Sequence, residues 1–383
     1  MTIVMDIFDI DAQLQPLITE TNKEDLEDIK DEFKKANFRS LLSKIDPLQE
    51  KYQENSELVH VLSLINAISY SQVGEQKQGA AIIQGLFEEL EKPTIDDLLL
   101  YSHIAFLSDY KLARRIMSEA VKRFDKEEDV DDNKKSQAYL LLAESEEKLQ
   151  KFGRAIKYYT IALEQLDPNH DEEYDLVLYQ MIKLGNLHSI KKQNDEAVHY
   201  FKQVVELAND EFIQYKIDSL ISLGKISSTR NEYKEAVSYL NEAIELLENS
   251  SIQDKGIFIE AYVEIAYTYF SQAKWGEAVP FYEKAMAQLR QLVTYPKRDY
   301  GMVLMQYAYS LENKDHPDQK AAGKTYEKAI AVLEEVNEPR LLESALGDTI
   351  KFFDKTNQQK KKKLYEEKWE RVRKERYLHN YMH

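Results

Sequence analysis

The chain of 383 residues contains no cysteine. That excludes disulfides, cysteine nucleophiles and thiolate metal sites together, and it fits a reducing compartment. Glycine (11) and proline (8) are scarce, so long stretches run without a helix breaker. No apolar run approaches the ~20 residues that span a bilayer. The first residues lack a basic leader, and Asp6 and Asp9 interrupt their apolar run, which excludes a signal peptide. Also missing are a glycine-rich phosphate loop, a dinucleotide fingerprint, a nucleophile elbow and a zinc-protease helix. The 68 acidic residues offer many carboxylate pairs, none distinguished from the rest. These absences predict a cytoplasmic protein that is not an enzyme, binds no cofactor or metal, and does not enter a membrane.

Acid outweighs base. The formal net charge is −17, which repels nucleic acid and favours solubility. The distribution is uneven. Between Lys351 and Arg376 there are 11 Lys/Arg and 5 Asp/Glu, a net of +6 on a body of −23. Lys360, Lys361, Lys362 and Lys363, with Lys368, Arg371, Arg373, Lys374 and Arg376, offer a face for phosphates. Tyr365, Trp369 and Val372 fall at i, i+4 and i+7, an apolar stripe on the same helix. The stripe predicts that residues 358–377 dock as a cap on the preceding layer, with nucleic-acid association as the competing reading.

What is abundant is repetition. Ala113, Ala155, Ala197, Ala236, Ala278 and Ala322 follow one another at gaps of 42, 42, 39, 42 and 44 residues. Seven residues after each comes Ala120, Ala162, Val204, Ala243, Ala285 or Ala329. Midway stand Tyr159, Phe201, Tyr282 and Tyr326. Upstream of each alanine from the second onward lies a pair with a small residue: Leu142-Ala143, Leu184-Gly185, Leu223-Gly224, Ile265-Ala266 and Tyr307-Ala308. A short polar turn, such as Lys192 to Asp195 or Arg230 to Glu232, separates pair from alanine. A fixed long period of this kind marks stacked helix pairs. Two helices 8–10 Å apart need small side chains at their contact, so the glycine or alanine of helix A is expected to face the first alanine of helix B.

The run Leu223-Gly224, Tyr233, Ala236, Leu240, Ala243 resembles the signature of the tetratricopeptide repeat family. Leu184-Gly185 with Ala197 and Phe201, and Ile265-Ala266 with Tyr269, Ala278, Tyr282 and Ala285, resemble it about as well. The resemblance implies an all-α, right-handed superhelical solenoid of seven to nine helix pairs. Residues 96–336 read as the solenoid, weakest over 96–124. Residues 337–383 read as a last pair, with Leu346-Gly347 in its helix A, and a basic capping helix. Residues 1–95 read as degenerate N-terminal repeats or as a small separate bundle. Spacings above the family's usual length imply longer helices or longer loops between repeats.

The family lines a concave groove with its A helices. Carried over by repeat position, the groove would show Tyr179, Lys183 and Asn186; then Asp218, Ser222 and Lys225; then Glu260, Glu264, Tyr267 and Phe270; then Gln306, Tyr309 and Glu312. Aromatics, amides and charges of this kind hold a peptide backbone and a few side chains; ordinary solvated helix faces look the same. One subset of the family clamps a C-terminal carboxylate with Lys and Asn. Here Ile182 replaces the lysine, and Glu260 and Glu264 would repel a carboxylate, so that clamp is rejected in favour of a positively charged ligand. The resemblance implies a protein-interaction scaffold binding a peptide or protein. A more distant resemblance, in length and repeat period, is to peptide-pheromone receptors of low-GC Gram-positive bacteria. No helix-turn-helix pattern near the N-terminus supports a DNA-binding output. Partner, pathway and oligomeric state are not written in the sequence.

Three smaller patterns carry less. Asp125 to Asp132 alternates carboxylates like a calcium loop, but Val130 stands where glycine is required and Ser136 where glutamate is, so Lys126 to Lys135 reads as a solvated linker. His379 and His383 share a helical spacing at a fraying end without further ligands. His188 and His199 read as packing or surface residues.

Overall fold

The computed structural model describes residues 8–124, 130–168, 170–292 and 294–381. Among these there are nineteen α-helices and no strand. Residues 125–129, the core of the acidic stretch, and His383 lie outside the described residues, as does the side chain of His379.

Two compact units divide at Ala197/Val198. The first holds α1 (Ile10–Leu14), α2 (Lys23–Lys34), α3 (Phe38–Lys51), α4 (Ser56–Gln72), α5 (Gln76–Glu88), α6 (Ile95–Phe106), α7 (Tyr110–Val121), α8 (Asp132–Lys148), α9 (Phe152–Leu163) and α10 (Asp171–Ile190). The division falls within α11 (Asn194–Leu207). The second unit continues with α12 (Ile213–Thr229), α13 (Tyr233–Asn249), α14 (Lys255–Ser271), α15 (Trp275–Leu289), α16 (Lys297–Asn313), α17 (Gln319–Leu333), α18 (Pro339–Lys355) and α19 (Gln359–Tyr381).

Within each unit, consecutive helices form antiparallel pairs and the pairs stack. In the first, α4 packs on α5, α6 on α7 and α8 on α9, while α4–α6 and α6–α8 touch as successive A helices. In the second, α12/α13, α14/α15, α16/α17 and α18/α19 pair, and α12–α14 and α14–α16 stack. The local causes are readable. Thr94 and Asp97 form a capping box that starts α6, and the side chains of Asp109, Asp131, Asp254 and Asp318 cap α7, α8, α14 and α17. Asp131 thus turns the end of the expected linker into a helix start, and α8 begins at Asp132.

All six periodic alanines are fully buried, as are the six residues seven positions later. Tyr159, Phe201, Tyr282 and Tyr326 are buried at 0–1% exposure. Small residues therefore set the closeness of each pair, and the aromatics fill the space beside them. At Gly224 the nearest neighbour is Leu240: a Cβ there would lie 2.5 Å from Leu240 Cγ. This leucine, one helical turn beyond Ala236, reaches over the glycine because its branched end fills the groove that the missing side chain leaves.

The C-terminal helix docks as its stripe predicts. Tyr365 and Val372 are buried with Phe352 and Phe353, and Trp369 packs against the same cluster. Its basic side chains turn to the chain's own acids: Lys361 to Glu327 at 2.7 Å, Lys362 to Asp354 at 2.9 Å and Lys368 to Glu334 at 2.8 Å.

Candidate functional site

Helices α12, α14 and α16 stack as successive A helices, so one exposed face of each meets the next. On α14, Glu260, Glu264 and Tyr267 lie four and three residues apart, which places them on one helical stripe. Between this stripe, α12 and the start of α16 lies a cavity of about 500 Å³. Its walls include Lys225, Glu260, Glu264, Tyr267, Tyr295, Arg298, Asp299 and Gln306.

The electrostatics are lopsided. Lys225 Nζ lies 2.9 Å from Glu260 and 3.5 Å from Glu264, so one cation serves two carboxylates. Arg298, a second cation in the wall, is held by Glu338, to which its Nε donates at 2.9 Å, and by Asp299, 3.4 Å from its Nη1. Burial opposes the charge on Lys225, yet Glu264 and Glu260 outweigh it and raise its pKa. Burial raises the Glu264 carboxyl; Lys225 relieves it and Glu260 adds to it. Beside them on α12, burial, with Glu260 and Asp254 nearby, pushes Asp218 up to about 7. The surplus of carboxylates over cations in the wall makes the local potential negative.

The structure sorts the expected groove residues into two kinds. Several are engaged between repeats. In the first unit Tyr179 donates to Glu144 at 2.8 Å, and Lys183 donates to Glu147 at 3.2 Å while lying 5.5 Å over the Tyr179 ring. Glu147 also accepts from the buried Tyr159 at 2.7 Å. In the second unit Glu312 accepts from Tyr326 at 3.0 Å and from Lys355 at 2.9 Å. Gln306 Oε1 accepts from Tyr282 at 3.1 Å. Asn186, Tyr267 and Tyr309 are exposed, and Asp218, Ser222 and Phe270 are half-buried.

Tyr295, Arg298 and Asp299 escape the sequence reading. They come from the loop before α16 and its first turn, where no repeat position exists to point to them. The only hint is the longest of the alanine gaps, 44 residues, which brackets that segment. Trp275, which opens α15, is also missed; it closes an aromatic cluster with Phe270 and Tyr309 at 6.1 and 5.8 Å. His188 is buried, its Nδ1 3.2 Å from Gln193 Oε1. Among the described residues no group of acidic, histidine or cysteine side chains is placed to hold a metal ion. Nor is any described helix long and apolar enough to cross a membrane.

Comparison with known proteins bears on the fold. The tetratricopeptide repeat model matches residues 181–211 and 217–249. No curated protein matches the sequence. Among solved structures, the apo form of RapI is similar over 93% of this chain and 98% of its own, at 12% identity and a TM-score of 0.61. The C-terminal part of a repeat-containing protein from Cytophaga hutchinsonii is similar over 68% of this chain and 94% of its own, at 18% identity and a TM-score of 0.49. A Rap protein complexed with competence and sporulation factor covers 82% of this chain and 98% of its own, at 15% identity and a TM-score of 0.42. Alanine period and paired helices agree with the repeat-model match, and the fold is that of stacked tetratricopeptide-like helix pairs.

Proposed function

We propose that the chain is a protein-interaction scaffold that grips a peptide segment along the A-helix faces of α12, α14 and α16, and that the segment carries positive charge. The observation behind this is the cavity in which Glu260 and Glu264 share the single Lys225 beside an exposed Tyr267. An extended peptide needs amides for its backbone and a complementary charge for its side chains. Gln306 supplies the first and the glutamates the second.

The test compares wild type with Glu264→Lys and Tyr267→Ala in crosslinked pull-downs read by mass spectrometry, which separate peptide from protein partners. Both variants change exposed or half-buried side chains and are expected to fold as wild type by circular dichroism. Each should lose a partner that wild type recovers. Identical recoveries from all three proteins would place binding elsewhere.

A second reading is a regulatory receptor for a short peptide, of the pheromone type. The likeness to RapI over nearly the whole of both chains favours it. It is separated from a general scaffold by what elutes from the purified protein: a peptide of a few residues, or a folded partner. Nucleic-acid association has the weakest support, since Lys361, Lys362 and Lys368 of the basic helix are answered by the chain's own carboxylates.

A further inference from the structure

Tyr267 is both a wall of the carboxylate cavity and the first ring of a surface cluster. It stacks on Phe270 with centroids 6.4 Å apart and planes at 17°. Phe270 in turn stacks on Trp275 at 6.1 Å and meets Tyr309 edge-on at 5.7 Å. Tyr267 is 43% exposed and Tyr309 40%, among the largest exposures of any bulky apolar side chain described. Three helices, α14, α15 and α16, therefore hold four rings as a shelf at the edge of the groove. Exposed aromatic area gathered contiguously beside a groove marks an interaction surface.

We propose that the shelf and the carboxylate cavity are two halves of one subsite, which takes an arginine and a neighbouring bulky apolar side chain of a peptide segment. The proposal rests on the groove reading above and specifies its ligand. Glu260, Glu264 and Asp299 against Lys225 and Arg298 leave the cavity wall with a surplus carboxylate, which favours a cation over phosphate or carboxylate groups. The Tyr267 ring beside Glu264 selects a guanidinium over an ammonium. A planar guanidinium pairs with a carboxylate through two N–H groups while its face lies on an aromatic ring. It is also less strongly hydrated than an ammonium, which matters where the site is half-buried. The residue next to the arginine then lies over Phe270 and Tyr309, whose rings supply apolar area and edge-to-face contacts. Coupling the two halves through one shared ring makes each more selective than either alone.

The probe is a library of random heptapeptides displayed on phage and selected on the immobilised full chain, followed by fluorescence anisotropy with synthetic copies of enriched sequences. Enriched peptides are expected to hold arginine within two positions of Phe, Trp, Tyr, Leu or Met. They should bind Tyr309→Ala and Glu264→Gln at least tenfold more weakly, and Tyr309→Phe within twofold of wild type, because stacking does not need the hydroxyl. Unchanged melting of each variant excludes unfolding as the cause. No enrichment over a blank surface, or enriched peptides without the pair, overturns the proposal. Peptides that ignore Tyr309→Ala but lose binding with Glu264→Lys overturn the shelf and leave the groove reading standing; peptides indifferent to both remove the two readings together. Equal affinity after Arg→Lys exchange in the peptide overturns the guanidinium assignment. If Tyr309→Ala instead converts a dimer into a monomer in sedimentation, the shelf belongs to a second copy of this chain.

Discussion

Two helix A glycines occupy positions where a methyl group has no room. At Gly224 a Cβ would lie 2.5 Å from Leu240 Cγ, and at Gly301 it would collide with Leu333. Replacing a mid-helix glycine by alanine normally stabilises by about 1 kcal/mol. Overpacking a close helix contact costs about 1–3 kcal/mol, and the colliding atoms include the leucine branch point, which can move only by changing χ1 inside a packed helix contact. The clash wins at both positions. Gly224→Ala and Gly301→Ala are expected to lower the urea midpoint. Gly347, in α18, has nothing within 4 Å of its would-be Cβ, so Gly347→Ala should raise the midpoint by the propensity term alone. A uniform response of the three would show that the contacts are not as described. Asp218 gives a test of the site at the same scale. Its carboxyl holds its proton up to about 7 in the folded chain, against an ordinary value of 3.8. Between those values the folded state binds more proton than the unfolded one, so stability falls as pH rises through that window. Asp218→Asn removes the effect. The variant should match wild type in melting at pH 4 and exceed it at pH 8 by on the order of 1–2 kcal/mol once solvent screening is allowed for; an equal difference at both pH values would refute the assignment. At this scale the sequence was a partial guide. Glu260, Glu264 and Tyr267 were reachable only through the family's repeat positions, and they lie along the wall of one cavity. Lys183, Lys225 and Glu312 could be placed, but not their engagement, because a long side chain reaches the neighbouring A helix and period alone does not say which partner stands there.

Between helix A and helix B the chain repeats one device. Ala36, Gln150, Lys192, Asn231, Ala273 and Asn357 all have φ between 55° and 62°, and Gly74 has φ 91°. Each stands two positions beyond the last residue of a helix, just after its C-cap. At Ala273 the bonding is complete: its N–H donates to Phe270 O at 2.9 Å and the next N–H, of Lys274, to Tyr269 O at 3.0 Å. This pair of bonds closes the helix through a left-handed residue, a position that favours glycine and then asparagine. For alanine the left-handed region costs about 1 kcal/mol. Ala273→Gly is therefore expected to stabilise by a few tenths to about 1 kcal/mol in denaturant unfolding, and Asn231→Gly by less, since asparagine already tolerates the region. A loss of stability at Ala273→Gly would mean that the alanine methyl makes a contact of more value than the strain. The turns were legible as short polar breaks, whereas their handedness was not, because alanine, glutamine and lysine do not announce φ > 0. Helix length was half legible. The repeat spacing required longer helices or longer loops, and the helices account for much of it: α12, α13, α14, α16 and α18 each run 17 residues. Nothing in a period distinguishes the two ways of filling it.

At the scale of the whole chain, composition and period together pointed to stacked helix pairs, and the decisive unknown was how the last pair is closed. A stacked array leaves an apolar face at its end that must be covered. In α19 the cover is narrow. Tyr365 stacks on Phe353 with centroids 5.4 Å apart, and Phe352 meets both Phe353 and Tyr326. Removing residues 358–383 would expose Phe352 and Phe353, now 1% and 0% exposed. Each large aromatic buries roughly 150–250 Å², and at about 25 cal/mol per Å² the loss amounts to several kcal/mol before the ordering of the helix is set against it. The charges add little to stability, because exposed ion pairs such as Lys361–Glu327 contribute ~0–1 kcal/mol each. Their effect is on binding. Glu334 faces both Lys368 and Arg371, at 2.8 and 3.9 Å, so a phosphate approaching this face must displace a carboxylate already in place, and must do so against a body of −23. The truncated protein should melt at a lower temperature and associate through its uncovered rings, while neither it nor the full chain retains RNA or DNA on a filter at 150 mM salt. The opposite pattern, an unchanged melting temperature together with salt-sensitive nucleic-acid retention that disappears on truncation, would make the basic helix a binding arm and not a cap.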